Sequence, residues 1–475
     1  MSYLAIDLGA GSGRAIVGTI RNNKLELVEI ARFANVPVKL NNTLYWNFLS
    51  LFTHVKESIR RAIAEGYLLK GIAVDTWGVD FALLDASGEL LVNPVCYRDM
   101  RTMGMSACME RYIPKEELYA ITGIQEMEIN TIFQLLSMKE SNSSVLPLAG
   151  KLLFIPDLIN YFLTGVSHTE YTIASTSQLL NVVTGKWEQS ILSRLNISPD
   201  IMGEIIQPCS VLGYLKQSVS EETGGDRTKV FSIASHDTAS AIAAIPEKGD
   251  DWAFLSSGTW SLLGVSIDTP ILTEEARVNN FTNEGGAGGK ILFLRNITGL
   301  WLLQWLIDEW LIKDGTTYSY DYLLAECVQV RPYRSIIDCD DSQFVNPPSM
   351  IGAIQDYCRR NNQPEPVSKG EFVRCVIESL AVKYRDVMDS LQQITGKTIK
   401  RLFVVGGGSQ NKFLNQCIAD ALGIEVITGL TESTAIGNIL QQALAEGELS
   451  GWEEARQIVR NTFPVISYYP SRTGG

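Results

Sequence analysis

Long uninterrupted apolar runs are missing from this sequence. A helix that crosses a membrane needs about 18–20 apolar residues in succession, whereas the most apolar stretch, 291–312, is interrupted by Arg295, Asp308 and Glu309. We therefore predict that this stretch forms a buried strand followed by a helix. The first residues, M-S-Y-L-A-I-D, lack the basic segment of a secretory signal. The chain is accordingly expected to be cytoplasmic and to have no membrane partner.

Positive charge and histidine are also scarce. The net charge is −13, which argues against nucleic acid as a main partner because no basic stripe is present to displace counterions. With only three histidines, a zinc site built on several of them is nearly excluded, and a Ser-His-Asp triad has few possible positions. The eight cysteines form no C-x-x-C pair, which is typical of reduced, buried thiols in a cytoplasmic protein.

Apolar β-rich runs alternate with helical patterns along the chain, which predicts an α/β fold. The length of 475 residues exceeds the roughly 250–300 residues that a single core supports, so more than one domain is expected. The polar break P-E-K-G-D-D at 246–251 separates them. We predict an N-terminal lobe over 1–245, a C-terminal lobe over 246–475 and a disordered tail over 471–475.

Periodicity and turn residues place the individual elements. Residues 100–225 are predicted to be mixed and mostly helical. The other predicted strands lie at 3–20 (a hairpin), 25–33, 71–74, 81–84, 230–235, 252–267 (a second hairpin) and 402–405. The other predicted helices lie at 48–65, from 237 onward, and at 300–312, 369–395, 412–422 and 433–446.

The two predicted hairpins resemble each other. Each contains an apolar strand, a turn of small and hydroxyl residues and a second apolar strand. Backbone N–H groups in such turns can cradle phosphate as an anion nest. The pair therefore suggests two phosphate-holding turns that serve one nucleotide, with an ordinary hairpin as the alternative for each turn taken alone.

The first turn reads D-L-G-A-G-S-G-R over 7–14. It is not a P-loop, since no G-K-[ST] follows the glycines, and Arg14 occupies the third glycine position of a dinucleotide fingerprint. Ser12 could add a hydroxyl donor and Arg14 a charge. Asp7 could hold Mg²⁺ through water, because magnesium usually keeps part of its hydration shell. In a plain hairpin, the glycines would instead supply positive φ angles.

The second lobe contains two further small-residue motifs. S-S-G-T-W-S at 256–261 offers backbone N–H groups and the hydroxyls of Ser257 and Thr259. V-V-G-G-G-S-Q-N at 404–411 follows a strand, and the costly run Gly406, Gly407 and Gly408 suggests close approach of a flat ring, as in an adenine slot. The alternative is a strand-to-helix turn capped by Ser409 or Asn411.

Three motifs of the first lobe indicate a substrate site. In A-S-H-D-T-A-S-A at 234–241, Asp237 could be a catalytic base at a strand end, although helix capping by Ser235 or Asp237 is the alternative. In D-T-W-G-V-D at 75–80, Trp77 and Gly78 suit a sugar platform. The alternative is a hairpin whose tryptophan lies in the core. In Y-R-D at 97–99, Arg98 could reach a sugar hydroxyl or form a surface ion pair.

In their order along the chain, the motifs at 7–14, 75–80, 234–241, 256–261 and 404–411 resemble those of the FGGY carbohydrate kinases. The resemblance extends over nearly the whole chain and is weakest at 100–225. The resemblance implies a two-lobed, actin-like ATPase fold with ribonuclease-H-like cores, a central cleft and closure of the lobes over the substrates. It implies ATP-dependent phosphorylation, with Mg²⁺, of L-rhamnulose on its 1-hydroxyl. The expected partners are thus a small-molecule sugar and ATP, and the expected state is a monomer or small homo-oligomer.

Individual residues are carried over where their motifs match those of the family. The resemblance makes Asp237 the base, in contact with the sugar. It assigns further sugar contacts to Gly78, His236, Thr238 and Asn296. It assigns ATP contacts to Ala10, Gly11, Ser12, Gly13, Arg14, Thr259, Gln304 and Gly407. Many relatives carry threonine where this chain has Ala10, so one phosphate-facing hydroxyl is absent and the roles of Ser12 and Arg14 are less defined.

Three other functions are alternatives to this interpretation. Another sugar kinase of the same family, L-fuculokinase first, differs only in the stereochemistry of its sugar. A non-metabolic actin-like ATPase would need a polymer interface or a peptide-binding domain, and it gives D-T-W-G no evident role. A nicotinamide dehydrogenase is disfavoured by Arg14 and by the strand after the glycine turn.

Overall fold

The structure is a computed structural model that describes residues 2–345 and 347–471. Most of the predicted disordered tail, 472–475, lies outside the described residues. Contacts group the chain into two compact units. The first unit contains the described residues up to Glu247 together with Ser266–Phe293 and Glu432–Phe463, and the second contains Lys248–Val265, Leu294–Thr431 and the residues from Pro464 onward. The sequence-based lobes, 1–245 and 246–475, stay a prediction.

The strands and helices follow one another in an alternating α/β order. The strands are β1 (Ser2–Leu8), β2 (Ser12–Arg21), β3 (Lys24–Ala34), β4 (Val38–Leu40), β5 (Thr43–Tyr45), β6 (Leu69–Thr76), β7 (Phe81–Leu84), β8 (Lys151–Phe154), β9 (Thr169–Glu170), β10 (Leu180–Asn181), β11 (Lys186–Trp187), β12 (Ile205–Ile206), β13 (Ser210–Tyr214), β14 (Lys229–Ser232), β15 (Trp252–Ser257), β16 (Trp260–Ile267), β17 (Thr282–Gly285), β18 (Ile291–Thr298), β19 (Arg401–Val405), β20 (Glu425–Thr428) and β21 (Ile466–Tyr468). The α-helices are α1 (Phe48–Ala64), α2 (Met105–Met109), α3 (Lys115–Thr122), α4 (Thr131–Glu140), α5 (Ile155–Thr164), α6 (Tyr171–Ser175), α7 (Gln189–Arg194), α8 (Gln217–Thr223), α9 (Asp237–Ala243), α10 (Glu274–Val278), α11 (Trp301–Asp314), α12 (Tyr320–Val328), α13 (Met350–Arg360), α14 (Lys369–Thr395), α15 (Lys412–Leu422), α16 (Ser433–Ala445) and α17 (Trp452–Thr462).

The main sheet of the first unit has the strand order β13-β14-β6-β1-β2-β3. β1 pairs antiparallel with β2 and parallel with β6, and β14 pairs parallel with β6. Every residue of β1 is buried, as expected for a strand that is covered on both faces. The parallel strands bring the chain segments that follow β1, β6 and β14 to one edge of the sheet, where open α/β folds place their chemistry.

The sheet of the second unit repeats this plan. Six strands of a seven-stranded sheet follow the order β18-β16-β15-β19-β20-β21. β15 is antiparallel to β16 and parallel to β19, which is parallel to β20. Both predicted hairpins are therefore confirmed, and each forms the start of an equivalent sheet. The strand after the first glycine turn is also confirmed as β2, which removes the strand-to-helix geometry that a dinucleotide fingerprint requires.

Residues 100–225, for which the sequence predicted no individual strands or helices, contribute to a separate hydrophobic core. Apolar side chains from β7, β8, α3, α4, α6 and α7 form a buried cluster that includes Phe81, Phe133 and Phe154. β7 pairs with β8 and not with β6. The D-T-W-G-V-D turn consequently links two different sheets, and the hairpin considered from sequence is wrong.

Helix α16 packs against β1, β6 and α9 with a buried polar stripe. Asn438 donates to Ala73 O at 3.2 Å, Gln442 donates to Leu4 O at 3.1 Å, and Gln441 accepts the N–H of Ala234 at 2.8 Å. These amides satisfy buried polar groups of the sheet, which would otherwise lose the hydrogen bonds they make to water. In the part of the chain that the structure describes, no helix has the length and apolar character needed to cross a membrane.

Gly437 is the point of closest approach of α16 to α9, and it predicts an effect on stability. A β-carbon there would lie 1.8 Å from Ser240 O, a backbone atom. We expect Gly437→Ala to lower the free energy of unfolding by about 1–3 kcal/mol through overpacking, as measured by urea denaturation followed through tryptophan fluorescence.

Gly352 provides the matched control, because it also lies inside a helix. Its β-carbon would meet only the Ser349 side chain, at 3.3 Å or more. Gly352→Ala should leave the free energy of unfolding unchanged or raise it, since alanine is favoured over glycine in helices by about 1 kcal/mol. Equal effects of the two substitutions would contradict the close packing of α16 on α9.

Candidate active site

Three carboxylates lie at the carboxyl edge of the first sheet. Asp7 near the end of β1 is the register partner of Asp75 near the end of β6. Asp237 opens α9, shortly after β14, and the backbones of Thr76 and His236 form a parallel bridge. The topology therefore brings together two residues that the sequence singled out, Asp7 and Asp237, with Asp75, to which no role was assigned.

Burial dominates the electrostatics of these carboxylates. It raises the pKa of Asp237 from 3.8 to about 6. It also raises the pKa of Asp7 against the opposing effect of Arg14, and the charge of Asp237 adds to the rise. The pKa of Asp75 lies well above its usual range, first because of burial and then because of the negative charge of Asp7. A group with a pKa near 6 is largely ionised at neutral pH and is still basic enough to accept a proton.

Arg14 is the cation within this acidic group. Its Nη2 donates to Asp7 Oδ2 at 2.7 Å and its Nη1 donates to Glu432 Oε2 at 2.5 Å. Asn438 donates to Asp75 Oδ2 at 2.6 Å, while Asp75 Oδ1 is buried without a hydrogen-bond partner. The negative charge of the carboxylates is therefore only partly balanced by protein groups.

The first glycine turn is compact and exposed at its tip. Gly9 N–H donates to Ser12 O at 2.8 Å, and the Asn35 side chain donates to Gly9 O at 2.9 Å. Gly11 and Ser12 are exposed. The glycines at 9, 11 and 13 do not have positive φ angles, so the reason considered for them in a plain hairpin is wrong. Gly13 is required for packing, since a β-carbon there would lie 2.3 Å from the Phe33 ring.

The segment around Asp237 does not have the capping geometry considered from sequence. The N-cap of α9 is His236, without a side-chain cap, and the Ser235 hydroxyl donates to Glu170 Oε2 at 2.8 Å. Asp237 Oδ1 accepts the N–H of Thr238 at 2.5 Å and its hydroxyl at 3.2 Å. Both contacts use the same oxygen of Asp237.

His236 lies between two carboxylates. Its Nε2 is 3.5 Å from Asp237 Oδ1 and its Nδ1 is 3.4 Å from Glu284 Oε2. Burial lowers the pKa of His236 in spite of the charge of Glu284. A lowered pKa makes the imidazole neutral at pH 7, when it offers one donor and one acceptor.

Trp77 lies in the core, as the alternative interpretation of its motif allowed, and its contact with a sugar stays a prediction. The residue is only 6% exposed, its ring centroid lies 4.4 Å from that of Trp46, and its indole N–H donates to Asp80 Oδ2 at 2.9 Å. Trp46 donates to the same oxygen at 2.6 Å. Trp77 is therefore held in the core, because its aromatic face and its N–H group both have partners there.

Gly78 and Arg98 flank this aromatic cluster. Gly78 is half-buried, and a β-carbon there would lie 3.1 Å from the side chain of Thr176. The guanidinium of Arg98 lies 5.1 Å from the centroid of the Tyr97 ring, a cation–π distance, and Tyr97 in turn packs 6.4 Å from Trp46.

The second unit contains the other predicted ligand contacts. Thr259 lies in the turn between β15 and β16, and its Oγ1 donates to Gln304 Oε1 on α11 at 3.3 Å. The structure thus brings together two residues that are far apart in sequence and that the resemblance assigned to one ligand. Asn296 lies half-buried on β18.

The three consecutive glycines have different roles. Gly406 has a φ of +79°, and a β-carbon there would lie 2.8 Å from Ser257 O; one on Gly408 would lie 2.0 Å from Ser257 Oγ. Gly406 and Gly408 therefore lie close to β15, and the approach of a flat ring to this glycine run stays a prediction. Only Gly407 faces open space. Asn411 caps α15 by accepting the N–H of Leu414 at 3.0 Å, as the alternative interpretation allowed.

Several residues of the site have no recognisable sequence signal. Glu284 beside His236, Asp80 beneath Trp77 and Glu432 beside Arg14 are carboxylates that lie outside the motifs or were given no role within them. Glu284 and Glu432 become identifiable only through contacts between distant segments, and Asp80 through its hydrogen bond from Trp46, 34 residues away. Among the described residues, no group of three or more His, Cys, Asp or Glu side chains could hold a metal ion, so any magnesium here depends on water and ligand oxygens for most of its coordination.

Comparisons with known proteins agree with this geometry. Residues 2–244 match the N-terminal domain of the FGGY family of carbohydrate kinases, and residues 253–446 match its C-terminal domain. The rhamnulokinase of Bacteroides thetaiotaomicron is 42% identical over 469 residues, which cover 99% of this chain and 96% of that protein. The rhamnulokinase of Bacillus subtilis is 39% identical over 470 residues, which cover 99% of this chain and 96% of that protein.

Solved structures establish the fold. A ligand-bound xylulose kinase from Lactobacillus acidophilus matches with a TM-score of 0.81 at 19% identity, covering 99% of this chain and 94% of that one. Plasmodium falciparum glycerol kinase with ADP matches with a TM-score of 0.79 at 16% identity and the same coverage. The predicted two-domain α/β fold of the actin-like ATPase type is thereby confirmed. With both family domains matched in order over nearly its full length, this chain belongs to the FGGY family of carbohydrate kinases.

Proposed function

We propose that this chain transfers the γ-phosphate of ATP to the 1-hydroxyl of L-rhamnulose. The choice of sugar is supported by the relatives named rhamnulokinase, which are 39–42% identical over nearly the full chain. The chemistry is supported by one observation above all. Asp237 is a half-buried carboxylate at the carboxyl edge of a parallel sheet, and its pKa of about 6 suits a base.

Asp237 is the general base of this reaction. The sugar hydroxyl attacks the γ-phosphorus, a new O–P bond forms, the bond to the β-phosphate oxygen breaks, and ADP leaves. The hydroxyl proton passes to Asp237. Since both Thr238 donors bind Oδ1, we assign Oδ2 as the accepting oxygen. Neutral His236, together with Gly78, Thr238 and Asn296, orients the sugar, because positioning supplies much of the rate in phosphoryl transfer.

The phosphate-binding groups come from the two glycine turns. Ala10–Arg14, Thr259, Gln304 and Gly407 are assigned to ATP, and Gly407 offers an open backbone position. Arg14 already faces two carboxylates, so it binds phosphate in competition with Asp7 and Glu432. The missing hydroxyl at Ala10 leaves Ser12 as the side-chain donor of this turn.

Magnesium fits the first unit on chemical grounds. Arg14 is the cation that acts on Asp7 and Asp75, and Asp75 Oδ1 is buried without a hydrogen-bond partner. Asp7 would hold the ion through water, as predicted from sequence. When bound, Mg²⁺ neutralises charge on the phosphates. Cytoplasmic location, closure of the lobes and the monomeric or small oligomeric state stay predictions from sequence.

The proposed substrate is tested with a sugar panel. A coupled ADP-release assay would compare L-rhamnulose, L-fuculose, L-ribulose, D-xylulose and glycerol at equal concentrations. We expect the highest kcat/KM with L-rhamnulose, because a site built to hydrogen-bond one arrangement of hydroxyls leaves polar groups unpaired with another. A higher kcat/KM with another sugar would contradict L-rhamnulose as the substrate but leave the kinase assignment intact. Absence of activity with all five compounds would contradict both assignments.

The proposed base is tested with Asp237→Asn. The substitution preserves shape but removes proton acceptance, so we expect kcat to fall by about 10²–10⁴-fold, with ATP affinity measured by calorimetry unchanged. Turnover close to that of the unaltered chain would contradict the assignment of Asp237.

The pH profile gives an independent check of the same residue. Because the pKa of Asp237 is raised to about 6, the base is ionised above pH 6 and progressively protonated below it. We expect kcat/KM to fall about tenfold between pH 8 and pH 5, and this decline should be lost in the residual activity of Asp237→Asn. A kcat/KM that does not change from pH 8 to pH 5 in the unaltered chain would contradict the assignment of Asp237 as the base.

The glycine run yields a matched pair of variants. Gly408→Ala forces a β-carbon against Ser257, and we expect it to lower the free energy of unfolding by about 1–3 kcal/mol. Gly407→Ala has space and should leave the unfolding transition unchanged while raising KM for ATP. An unaltered KM for ATP in Gly407→Ala would argue against nucleotide contact at this position.

A further inference from the structure

We propose that the segment Glu170–Thr176, E-Y-T-I-A-S-T, positions the sugar-site loops, with Thr172 as the positioning residue for the turn that carries Asp237. This inference rests on the proposed function. The segment includes α6 and lies in the region where the sequence carried the fewest signals. Its side chains accept hydrogen bonds from backbone N–H groups of three separate loops, all in the first unit.

The catalytic turn receives the largest share of these bonds. Glu170 Oε2 accepts the N–H of Ser235 at 3.1 Å and its hydroxyl at 2.8 Å. Thr172 Oγ1 accepts the N–H of His236 at 3.2 Å. The two residues that immediately precede Asp237 are therefore fixed by side chains of one short segment, although they lie more than sixty residues away in sequence.

The other two loops are held in the same way. Ser175 Oγ accepts the N–H of Gly285 at 2.7 Å, next to the Glu284 carboxylate that faces His236. Thr176 Oγ1 accepts the N–H of Val79 at 3.0 Å, next to Gly78. A movement of α6 would displace the base, the partner of His236 and the Gly78 turn together.

The hydroxyl groups are oriented for this task. Ser175 donates to Thr172 O at 2.6 Å, and Thr176 donates to Ile173 O at 2.8 Å. Thr172 donates to Glu170 Oε2 at 2.5 Å. Because each hydroxyl proton is engaged within the segment, a lone pair of each oxygen is directed at a loop amide.

Glu170 anchors the segment. It is buried, and its carboxylate accepts bonds from Thr172 N–H and hydroxyl, Ile173 N–H, and Ser235 N–H and hydroxyl. It thereby caps α6 and ties this helix to the catalytic turn. Buried backbone N–H groups at strand ends need partners, and side chains supply them where the sheet does not.

The test compares three substitutions by valine or serine. Thr172→Val keeps the volume but removes the acceptor for His236 N–H, and Thr172→Ser keeps the hydroxyl. Thr169→Val is the matched control, because Thr169 is equally buried and its Oγ1 has no hydrogen-bond partner. Steady-state kinetics would use whichever sugar of the panel the unaltered chain phosphorylates fastest.

We expect Thr172→Val to lower kcat by about 10- to 100-fold, since misplacing a reacting group by about 1 Å has an effect of that size. KM for ATP should stay within about twofold because the turn does not bind nucleotide. Thr172→Ser should restore most of kcat, and Thr169→Val should match the unaltered chain. A kcat for Thr172→Val within about threefold of the unaltered value, or an equal loss in Thr169→Val, would overturn the proposal.

Amide hydrogen exchange provides a readout that needs no substrate. Peptides covering Ser235 and His236 should exchange faster in Thr172→Val, with unchanged exchange in Thr169→Val, since a lost acceptor releases the amide to solvent. Unchanged exchange in Thr172→Val would also overturn the proposal. If the unaltered chain phosphorylates none of the sugars, the proposed function fails while the exchange measurement still tests the positioning role.

Thr176→Val tests the same device if Thr172→Val does not fold. It removes the acceptor of Val79 N–H next to Gly78. We expect faster exchange in the peptide that contains Val79 and a raised KM for the sugar. Unaltered exchange and unaltered KM would overturn the role of the segment.

Discussion

The burial of negative charge at one edge of the first sheet is the constraint on which the site depends. Removing a carboxylate from water is unfavourable unless other groups replace its solvation. Here each carboxylate accepts a hydrogen bond from one neighbour: Asp7 from Arg14, Asp75 from Asn438 and Asp237 from Thr238. The compensation is incomplete, so the pKa values of Asp7, Asp75 and Asp237 rise. The same deficit that suits Asp237 to the proposed role of base would also suit this edge to a bound cation.

The fold meets this constraint with neutral groups wherever it can. Helix α16 carries amide side chains into the sheet, and the segment Glu170–Thr176 offers hydroxyl oxygens to loop amides. Neither device adds a second cation beside the carboxylates. Arg14 is the cation bound to Asp7 and Glu432 at this edge, and it follows the glycine turn. If the turn binds phosphate as proposed, phosphate binding and charge balance would act on the same guanidinium.

Local motifs made much of the fold, and part of the candidate site, predictable from sequence. The two hairpins, the long helix α14 and the strand–helix junction at Asp237 follow from periodicity and turn residues, because their hydrogen bonds are local or in regular register. The protein neighbours of some motif residues were not predictable. Trp77 is buried and Gly408 faces Ser257, since a motif indicates that a residue is constrained without showing which neighbour constrains it.

The positioning residues could not be predicted from sequence, because their hydrogen bonds join segments that lie far apart in the chain. Glu170 and Ser235 are 65 residues apart, and Asn438 and Asp75 are 363 residues apart. Nothing in E-Y-T-I-A-S-T distinguishes a surface helix from one that holds three loops. Its distinguishing property is the pairing of each hydroxyl with a helix carbonyl or carboxylate on one side and a loop amide on the other. The hydroxyl groups fix distances without adding charge, and the negative charge that the segment carries, on Glu170, is bonded to Thr172, Ile173 and Ser235.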